Sequence, residues 1–338
     1  MRTAGLVDLQ VNGFAGVDFN DAGLTAAAFD HACEAMLRGG VTTFLPTLIT
    51  ATQPELAARF AALDRAVATS RLGPLMAPGY HLEGPFLNPA PGFRGCHPHA
   101  AMTAADAALV ERLARGLSRP ILLVTYAPEN DPGLAFARAM TAAGRVVAIG
   151  HADVDFALAR AAALAGASLS THLGNGLPQE MRKLANPLFA QLAEDRLAAC
   201  LIADGVHLPP DAVRVMIRAK GIARTILVTD ATAGAATAPG DYSLGALAIR
   251  RDAEGAVRDP ASGGLAGSGL TLDQAVRNVV AWGAASFEEA VAMASAHPLA
   301  ALAGAIARFG VAPAPGEATW DDASRVARAR VGDVEIVR

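Results

Sequence analysis

Short β-branched or apolar runs alternate along this chain with longer, alanine-rich stretches whose apolar positions recur at helical spacing. The runs predict eight strands, at Gly5 to Gln10, Val41 to Pro46, Met76 to Leu82, Ile121 to Tyr126, Val146 to Ile149, Ser168 to Thr171, Ala198 to Ile202 and Thr225 to Thr229. Between them, Ala26 to Arg38, Pro54 to Ala68, Ala104 to Leu117, Pro132 to Ala143, Val154 to Ala165 and Pro210 to Lys220 predict helices. Several open on Thr, Asp or Pro at a cap or first-turn position. Eight successive βα units predict an α/β fold whose parallel strands close into a (β/α)8 barrel.

Beyond the eighth strand the rhythm changes. An irregular Ala/Gly/Pro segment, Ala231 to Gly240, precedes a predicted hairpin over Tyr242 to Arg258 and a glycine-rich turn at Gly263 to Gly269. Helices over Leu270 to Trp282 and Phe287 to Ala303 then complete the ring. The tail is punctuated by Pro and Gly and ends in the alternating run Val331 to Val337, which predicts one or two strands outside the barrel. The expected division is therefore a barrel over residues 1–304 and a residual β segment over 305–338.

Composition narrows the function classes. With a net charge of −4, the chain lacks the basic face that neutralises a phosphate backbone, so nucleic acid is not an expected partner. Cys33, Cys96 and Cys200 are odd in number and lack CxxC spacing, which excludes a disulfide framework and a cysteine-built zinc site. A reducing cytoplasm is the expected home. No run of 18 apolar residues is free of charge or punctuation, and no export signal opens the chain, so no membrane partner is expected.

Barrel enzymes carry their reacting groups at the C-terminal ends of the strands. Here those ends are polar: Gln10 and Asn12 on the first strand, His81 and Glu83 on the third, His151 on the fifth, His172 on the sixth, Asp204 and His207 on the seventh, Asp230 on the eighth. One carboxylate and two imidazoles chelate a divalent metal while leaving a position open for water, the composition of a catalytic site. Glu83, His151 and His172 are the expected ligands. His81 shares a strand face with Glu83 and reads as a supporting partner. Asp230 can act as general base toward the hydrolytic water and then hand the proton to a leaving amine, or simply cap a turn. Adjacent Cys96 and His97 do not make a nucleophile and base pair, because neighbouring loop residues seldom reach the activating hydrogen bond. The segment GGLAGSG is no dinucleotide fingerprint, since its glycine spacing is loose and no clear strand precedes it.

Eight motifs in order carry a family resemblance: GLVDLQVNGFAGVDFND from Gly5, HLEGPFLNP from His81, GCHP from Gly95, GHADV from Gly150, THLGNG from Thr171, IADGVH from Ile202, VTDAT from Val228 and LAGSGLT from Leu265. The chain resembles the N-acetylglucosamine-6-phosphate deacetylases of the amidohydrolase superfamily, as far as about Ala303. The resemblance implies an amidohydrolase barrel with Glu83, His151 and His172 on the metal, Asp230 as acid/base and His97 beside the developing oxyanion. It further implies substrate contacts at Cys96, His97, Asn175, Gly176, Asp204 to His207, and Leu265, Ala266 and Gly267 around the acetyl group. The implied reaction removes the acetyl group from N-acetylglucosamine-6-phosphate, with zinc the foremost candidate metal, iron or another divalent ion as alternatives, and a homodimer as the assembly.

Three departures from the family pattern matter. Where many amidohydrolases place an HxH pair that helps hold a second metal, this chain has Gln10 and Asn12, and neutral amides are poor zinc ligands; one metal per subunit is expected. The usual phosphate-binding arginine gives way to Arg182 and Lys183 in LPQEMRKLANP, and Lys183, one of only two lysines, is the expected phosphate contact although it lacks the guanidinium fork. This leaves open a relative that deacylates another N-acyl amine or an unphosphorylated amino sugar, and, in a different class, a silent barrel kept for binding. Finally, barrel strand one starts almost at Met1, so the family's accessory β-sandwich is expected either to be reduced to the tail's strands or to begin upstream of an internal start.

Overall fold

A computed structural model describes residues 1–338. Its centre is an eight-stranded sheet of parallel neighbours, with strands β1 (Leu6–Val11), β2 (Val41–Ile49), β3 (Tyr80–Glu83), β4 (Ile121–Tyr126), β5 (Val146–Ile149), β6 (Ala167–Ser170), β7 (Ala198–Ile202) and β8 (Thr225–Val228) in sequential order. These strands are buried almost throughout, as expected where helices cover one face and barrel packing fills the other. Local chemistry starts the surrounding helices. Thr25 caps Ala26–Arg38 by accepting from the Ala28 N–H, Glu55 reaches back to the Thr52 N–H at the head of Gln53–Thr69, and Asp155 caps Phe156–Leu164 through the Leu158 N–H. Phe19, Phe29 and Phe44, with centroids 5.1–6.0 Å apart, lock the loop after β1 to the first helix and β2.

The ladder runs unbroken from β1 round to β8, but the last junction, β8 to β1, is not a regular ladder. Its one bridge pairs Val11 with Ala231. A buried carboxylate does the rest: Asp8 on β1 accepts from the Thr229 hydroxyl at 2.6 Å, the Thr229 N–H at 3.2 Å and the Gln10 N–H at 3.3 Å. Ser268 braces the β8 side of the seam, donating its hydroxyl to Thr229 O at 2.6 Å while its N–H donates to Asp230 O. The seam therefore closes through the Asp8 and Thr229 side chains together with the Asn12 and Gly13 N–H groups, which both donate to Ala231 O, at the level where Asp230 emerges.

Three expectations need correction. The third strand does not begin at Met76, because Gly73–Met76 forms a helical turn and the strand starts at Tyr80. The tail holds three strands rather than one or two: β12 (Gly316–Trp320), β13 (Val326–Val331) and β14 (Val334–Val337), with a turn at Gly332 splitting the alternating run. A strand at Arg2–Ala4 pairs antiparallel with β12, so the start of the chain contributes to this four-stranded sheet. The helix Ala296–Phe309 also carries the barrel layer past residue 304, where the division was expected. The predicted hairpin holds, as β9 (Gly240–Leu244), β10 (Leu247–Arg251) and β11 (Val257–Arg258), and forms a separate three-stranded sheet.

Phe287–Phe309 is apolar and long enough by composition to cross a membrane, with a mean hydropathy of 1.6. It is two helices, Phe287–Met293 and Ala296–Phe309, interrupted at Ala294 and Ser295. The Ala294 carbonyl accepts from the Val7 N–H of β1, which ties the break to the barrel. Lys220 serves the fold. Its buried ammonium donates to Gln191 O and Glu194 O, at 2.8 and 2.6 Å, and so caps the end of the helix Pro187–Ala193.

Burial pushes Asp8 up to about 7, against the hydrogen bonds from Thr229 and Gln10. A carboxyl whose pKa is raised on folding binds more protons in the folded state, so its contribution to stability falls as pH rises from about 4 to about 7. At about 1.36 kcal/mol per unit, this rise corresponds to a loss of ~4 kcal/mol. Asp8→Asn mimics the protonated acid and removes this titration. Urea denaturation of both proteins from pH 4.5 to 8 is expected to show the variant gaining on the parent as pH rises; a constant difference would contradict it.

Candidate active site

Of the residues singled out at the strand ends, Asn12, Glu83, His151, His172, His207 and Asp230 converge on one cavity of about 520 Å³. Glu83 ends β3, His151 follows β5 by two residues, and His172 follows β6 by two. The Glu83 Oε1, His151 Nε2 and His172 Nε2 atoms stand 2.9, 3.1 and 3.5 Å from one another. Ligands about 2.1 Å from a tetrahedral ion stand ~3.4 Å apart, so this trio has the spacing of three vertices around a single cation. His151 Nδ1–H donates to the Phe93 carbonyl at 2.6 Å, which fixes the tautomer and turns the Nε2 lone pair toward Glu83 and His172. Two imidazole nitrogens facing one another at 3.1 Å beside a buried carboxylate form a donor set that fits a divalent metal.

His97 is the competing ligand, since Glu83, His97 and His151 also offer atoms within 4.8 Å of one another. Its Nε2 lies 3.8 Å from the other Glu83 oxygen, and its Nδ1 is engaged by the Thr50 hydroxyl at 2.9 Å. The tighter spacing of the His172 trio favours Glu83, His151 and His172, leaving His97 at the side of the site. Burial, reinforced by His151, pushes His97 down to about 3, so it is neutral.

Asp230 follows β8 and faces the same cavity. Its Oδ1 accepts from Asn12 Nδ2 at 2.7 Å and Gln10 Nε2 at 3.0 Å. The two amides that stand where other amidohydrolases carry histidines thus hold the acid/base candidate. Burial, then the charge of Glu83, pushes Asp230 up to about 6, the direction that suits a group exchanging protons near neutrality. Glu83 itself is held well below the usual carboxylate range, burial notwithstanding, by the imidazoles of His151 and His172 beside it.

Backbone strain concentrates here. His151, His172 and Asp230 all take positive φ, 52°, 28° and 51°, a region that non-glycine residues rarely occupy. Glycines make room for the turned imidazole: a Cβ on Gly176 would stand 2.5 Å from His151 Nδ1, and one on Gly95 would stand 3.0 Å from His151 Cε1. Gly176 therefore acts by admitting the His151 ring.

The other expected contacts divide. Cys96, Asn175, His207, Leu265 and Gly267 line the cavity. Asn175 turns its amide onto the His172 carbonyl at 3.0 Å. Burial pushes the Cys96 thiol up to about 12, which removes any nucleophilic thiolate. Three residues do not line the cavity. Asp204 stands behind His207, accepting from its Nδ1–H at 2.6 Å and from the Val206 and His207 N–H groups, and so orients the ring. Ala266 packs into an apolar cluster with Ile49, Leu244, Ile249 and Val257. Lys183 lies exposed on the loop after β6, and Arg182 beside it pairs with Asp153 at 3.0 Å. His81 lies inside the barrel below Glu83, bonded to Thr125, which bonds Thr171 in turn. The Phe93 carbonyl, Thr50, Gln179 and the rim Arg258 to Gly264 were not anticipated; only the glycine-rich turn carried a sequence mark of that rim.

A buried carboxylate and imidazole cluster able to hold a metal, with a second carboxylate facing the same cavity at the C-terminal mouth of a (β/α)8 barrel, fits a metal-dependent hydrolase. The chain belongs to the amidohydrolase family, which it matches over residues 1–305. It is 35% identical over 308 residues to the human N-acetylglucosamine-6-phosphate deacetylase, spanning 87% of this chain and 72% of that protein. It is 34% identical over 294 residues to the N-acetylgalactosamine-6-phosphate deacetylase of Escherichia coli O157:H7, spanning 86% and 75%. In three dimensions it is similar to an N-acetyl-D-glucosamine-6-phosphate deacetylase variant from Mycobacterium smegmatis solved with N-acetyl-D-glucosamine-6-phosphate: TM-score 0.88, 29% identity, 100% of this chain and 87% of that one.

With the Gln10 and Asn12 amino groups turned toward Asp230, the first strand has only neutral amide oxygens to offer a second cation, and these are poor zinc ligands. Elemental analysis of protein purified without chelator is expected to give about one divalent metal per chain, and two would contradict a single-metal site.

Proposed function

We propose that this chain hydrolyses the amide of N-acetylglucosamine-6-phosphate, releasing acetate and glucosamine-6-phosphate. The observation that carries the proposal is the convergence of Glu83, His151, His172 and Asp230 in one cavity, in a chain so similar to deacetylases of this name. Glu83, His151 and His172 hold the metal, zinc in this proposal. The bound cation supplies Lewis acidity, polarising the acetyl carbonyl and lowering the pKa of water.

The chain's own residues do the rest. Asn12 and Gln10 occupy one oxygen of Asp230, leaving Oδ2 to take a proton from the attacking water. The carbon–nitrogen bond then breaks as that proton passes from Asp230 to the departing amine. In this proposal the neutral His97 ring, 2.9 Å from the Thr50 hydroxyl through Nδ1, carries its hydrogen on Nε2 toward the cavity, where it stabilises the negative charge that develops on the carbonyl oxygen. Leu265 and Gly267 border the acetyl group, while Asn175 and His207 contact the sugar.

A cytoplasmic location and a homodimer belong to the same proposal. Free Cys33, Cys96 and Cys200 suit a reducing compartment, and the exposed Met181, Leu184 and Phe189 supply apolar surface for a second subunit. A second reading, deacylation of an unphosphorylated or different N-acyl amine, is favoured by one observation: neither Arg182 nor Lys183 lines the cavity.

Acetate release from N-acetylglucosamine-6-phosphate, N-acetylglucosamine and several N-acetyl amino acids separates these readings. The phosphorylated sugar is expected to be turned over fastest; a faster unphosphorylated or amino-acid substrate would establish the second reading, and no turnover of any would remove both. Asp230→Asn is expected to keep the metal while losing the proton transfer, a contribution of about 10²- to 10⁴-fold. Near-parental activity in that variant would remove Asp230 from its role.

A further inference from the structure

Beside the hydrolytic cavity lies a second one, of about 350 Å³, between the head of the helix Gln53–Thr69, the loop that carries Cys96 and the tip of the hairpin β9–β10. Ile49, Cys96 and Leu244 line both cavities, and Thr50, hydrogen-bonded to His97, also lines the second. The proposed reaction leaves this space unused. It shares no residue with the surface offered to a second subunit.

Pro98, Ala100, Ala101 and Leu247 give the cavity apolar walls, and one charged group stands among them. Arg59 lines the cavity, is only 8% exposed, and makes no hydrogen bond or ion pair within the chain. A guanidinium carries five N–H donors, and burying a charged donor without a partner costs more than burying a neutral one. Space has been kept for the group at the hairpin tip: Gly245 takes a φ of 59°, and a Cβ there would stand 3.0 Å from Arg59 Nη1. Asp18 and Glu55 lie near enough to feel its charge, yet neither is within ion-pairing distance. Both are engaged elsewhere, Asp18 by the Asn20 and Gly245 N–H groups and Glu55 by the N–H and hydroxyl of Thr52.

Glu55 lines the same cavity one helical turn before Arg59. Opposite charges at this spacing commonly pair with one another. Here Thr52 holds Glu55 back through Oε2, which leaves Oε1 free and the two charges apart at the edge of one apolar space. A ligand that completes this set presents a carboxylate to the planar fork of Arg59 and a cation to Glu55, on a small apolar body. A plain carboxylate would meet Arg59 but add to the negative charge of Glu55 and Asp18, whereas a zwitterion adds none. We propose that this cavity is a binding site for a small apolar α-amino acid, with its carboxylate on Arg59, its ammonium on Glu55 and its side chain against Pro98, Ala100, Ala101 and Leu247. Such an occupant rests against Cys96 and Thr50, and so against the wall of the hydrolytic cavity.

The test is calorimetric titration of the metal-loaded protein with L-leucine, with isocaproate, which is leucine without its ammonium, and with isopentylamine, which is leucine without its carboxylate. L-Leucine is expected to saturate a single site and to bind about 10-fold or more tightly than either analogue. Arg59→Gln and Glu55→Gln are each expected to weaken it about 10- to 100-fold. Glutamine suits the helix at both positions and can still reach back to Thr52 from the second. Circular dichroism separates a lost contact from a lost fold; if Arg59→Gln does not fold, Arg59→Lys takes its place and is expected to lose part of the affinity. The proposal is overturned if L-leucine shows no saturable binding or if either analogue binds as well. It is equally overturned if both substitutions leave L-leucine binding unchanged, the result expected of an amino acid that chelates the active-site metal instead.

Discussion

The closure of the barrel between its last and first strands is the constraint on which the site depends. Seven of the eight junctions are laddered in the ordinary way, but the eighth is made by Asp8 on Thr229 and by the Asn12 and Gly13 N–H groups on Ala231 O, around the single Val11 to Ala231 bridge. That junction sets the height at which β1 delivers Gln10 and Asn12 beside Asp230. A register slip of one residue would reverse every side chain on β1 and take both amides away from the carboxylate. Asp8 is thus a buried carboxyl kept at the cost of desolvation, and what it secures is the alignment of Asp230 with the strand that holds it.

Strain and space complement this alignment. His151, His172 and Asp230 each take a left-handed backbone conformation immediately after a barrel strand, turning the side chain across the mouth. Such conformations cost about 1–3 kcal/mol each and persist only where the surroundings over-determine them. The surroundings do so here: Phe93 holds His151, Asn175 holds the His172 backbone, and the two amides hold Asp230. Gly95 and Gly176 leave the room that the His151 ring occupies.

How far this was legible in the sequence depends on the range of each interaction. Glu83, His151, His172 and Asp230 were legible because each terminates a strand and the eight βα units bring strand ends together. Strand three was read four residues too early because Met76 and Ala77 continue an apolar run, while Gly73 and Pro74 start a helical turn. Asp204, Ala266 and Lys183 were expected in the cavity from the family pattern, which does not show that Asp204 turns onto His207, that Ala266 packs with Ile49 and Val257, or that Lys183 lies exposed on its loop. The motif order itself could not show that Gln10 and Asn12 serve Asp230, some 220 positions away in sequence, or that a hairpin outside the barrel brings Arg258 to the rim.

The central claim is that one metal sits among Glu83, His151 and His172, with His97 beside it. Crystals of the metal-loaded protein, measured at the absorption edge of the bound metal, test it most directly. The predicted result is a single anomalous peak bonded to Glu83, His151 Nε2 and His172 Nε2, with His97 Nε2 outside bonding distance. A peak bonded to Glu83, His97 and His151 with His172 outside, or a second peak against Gln10 and Asn12, would contradict it.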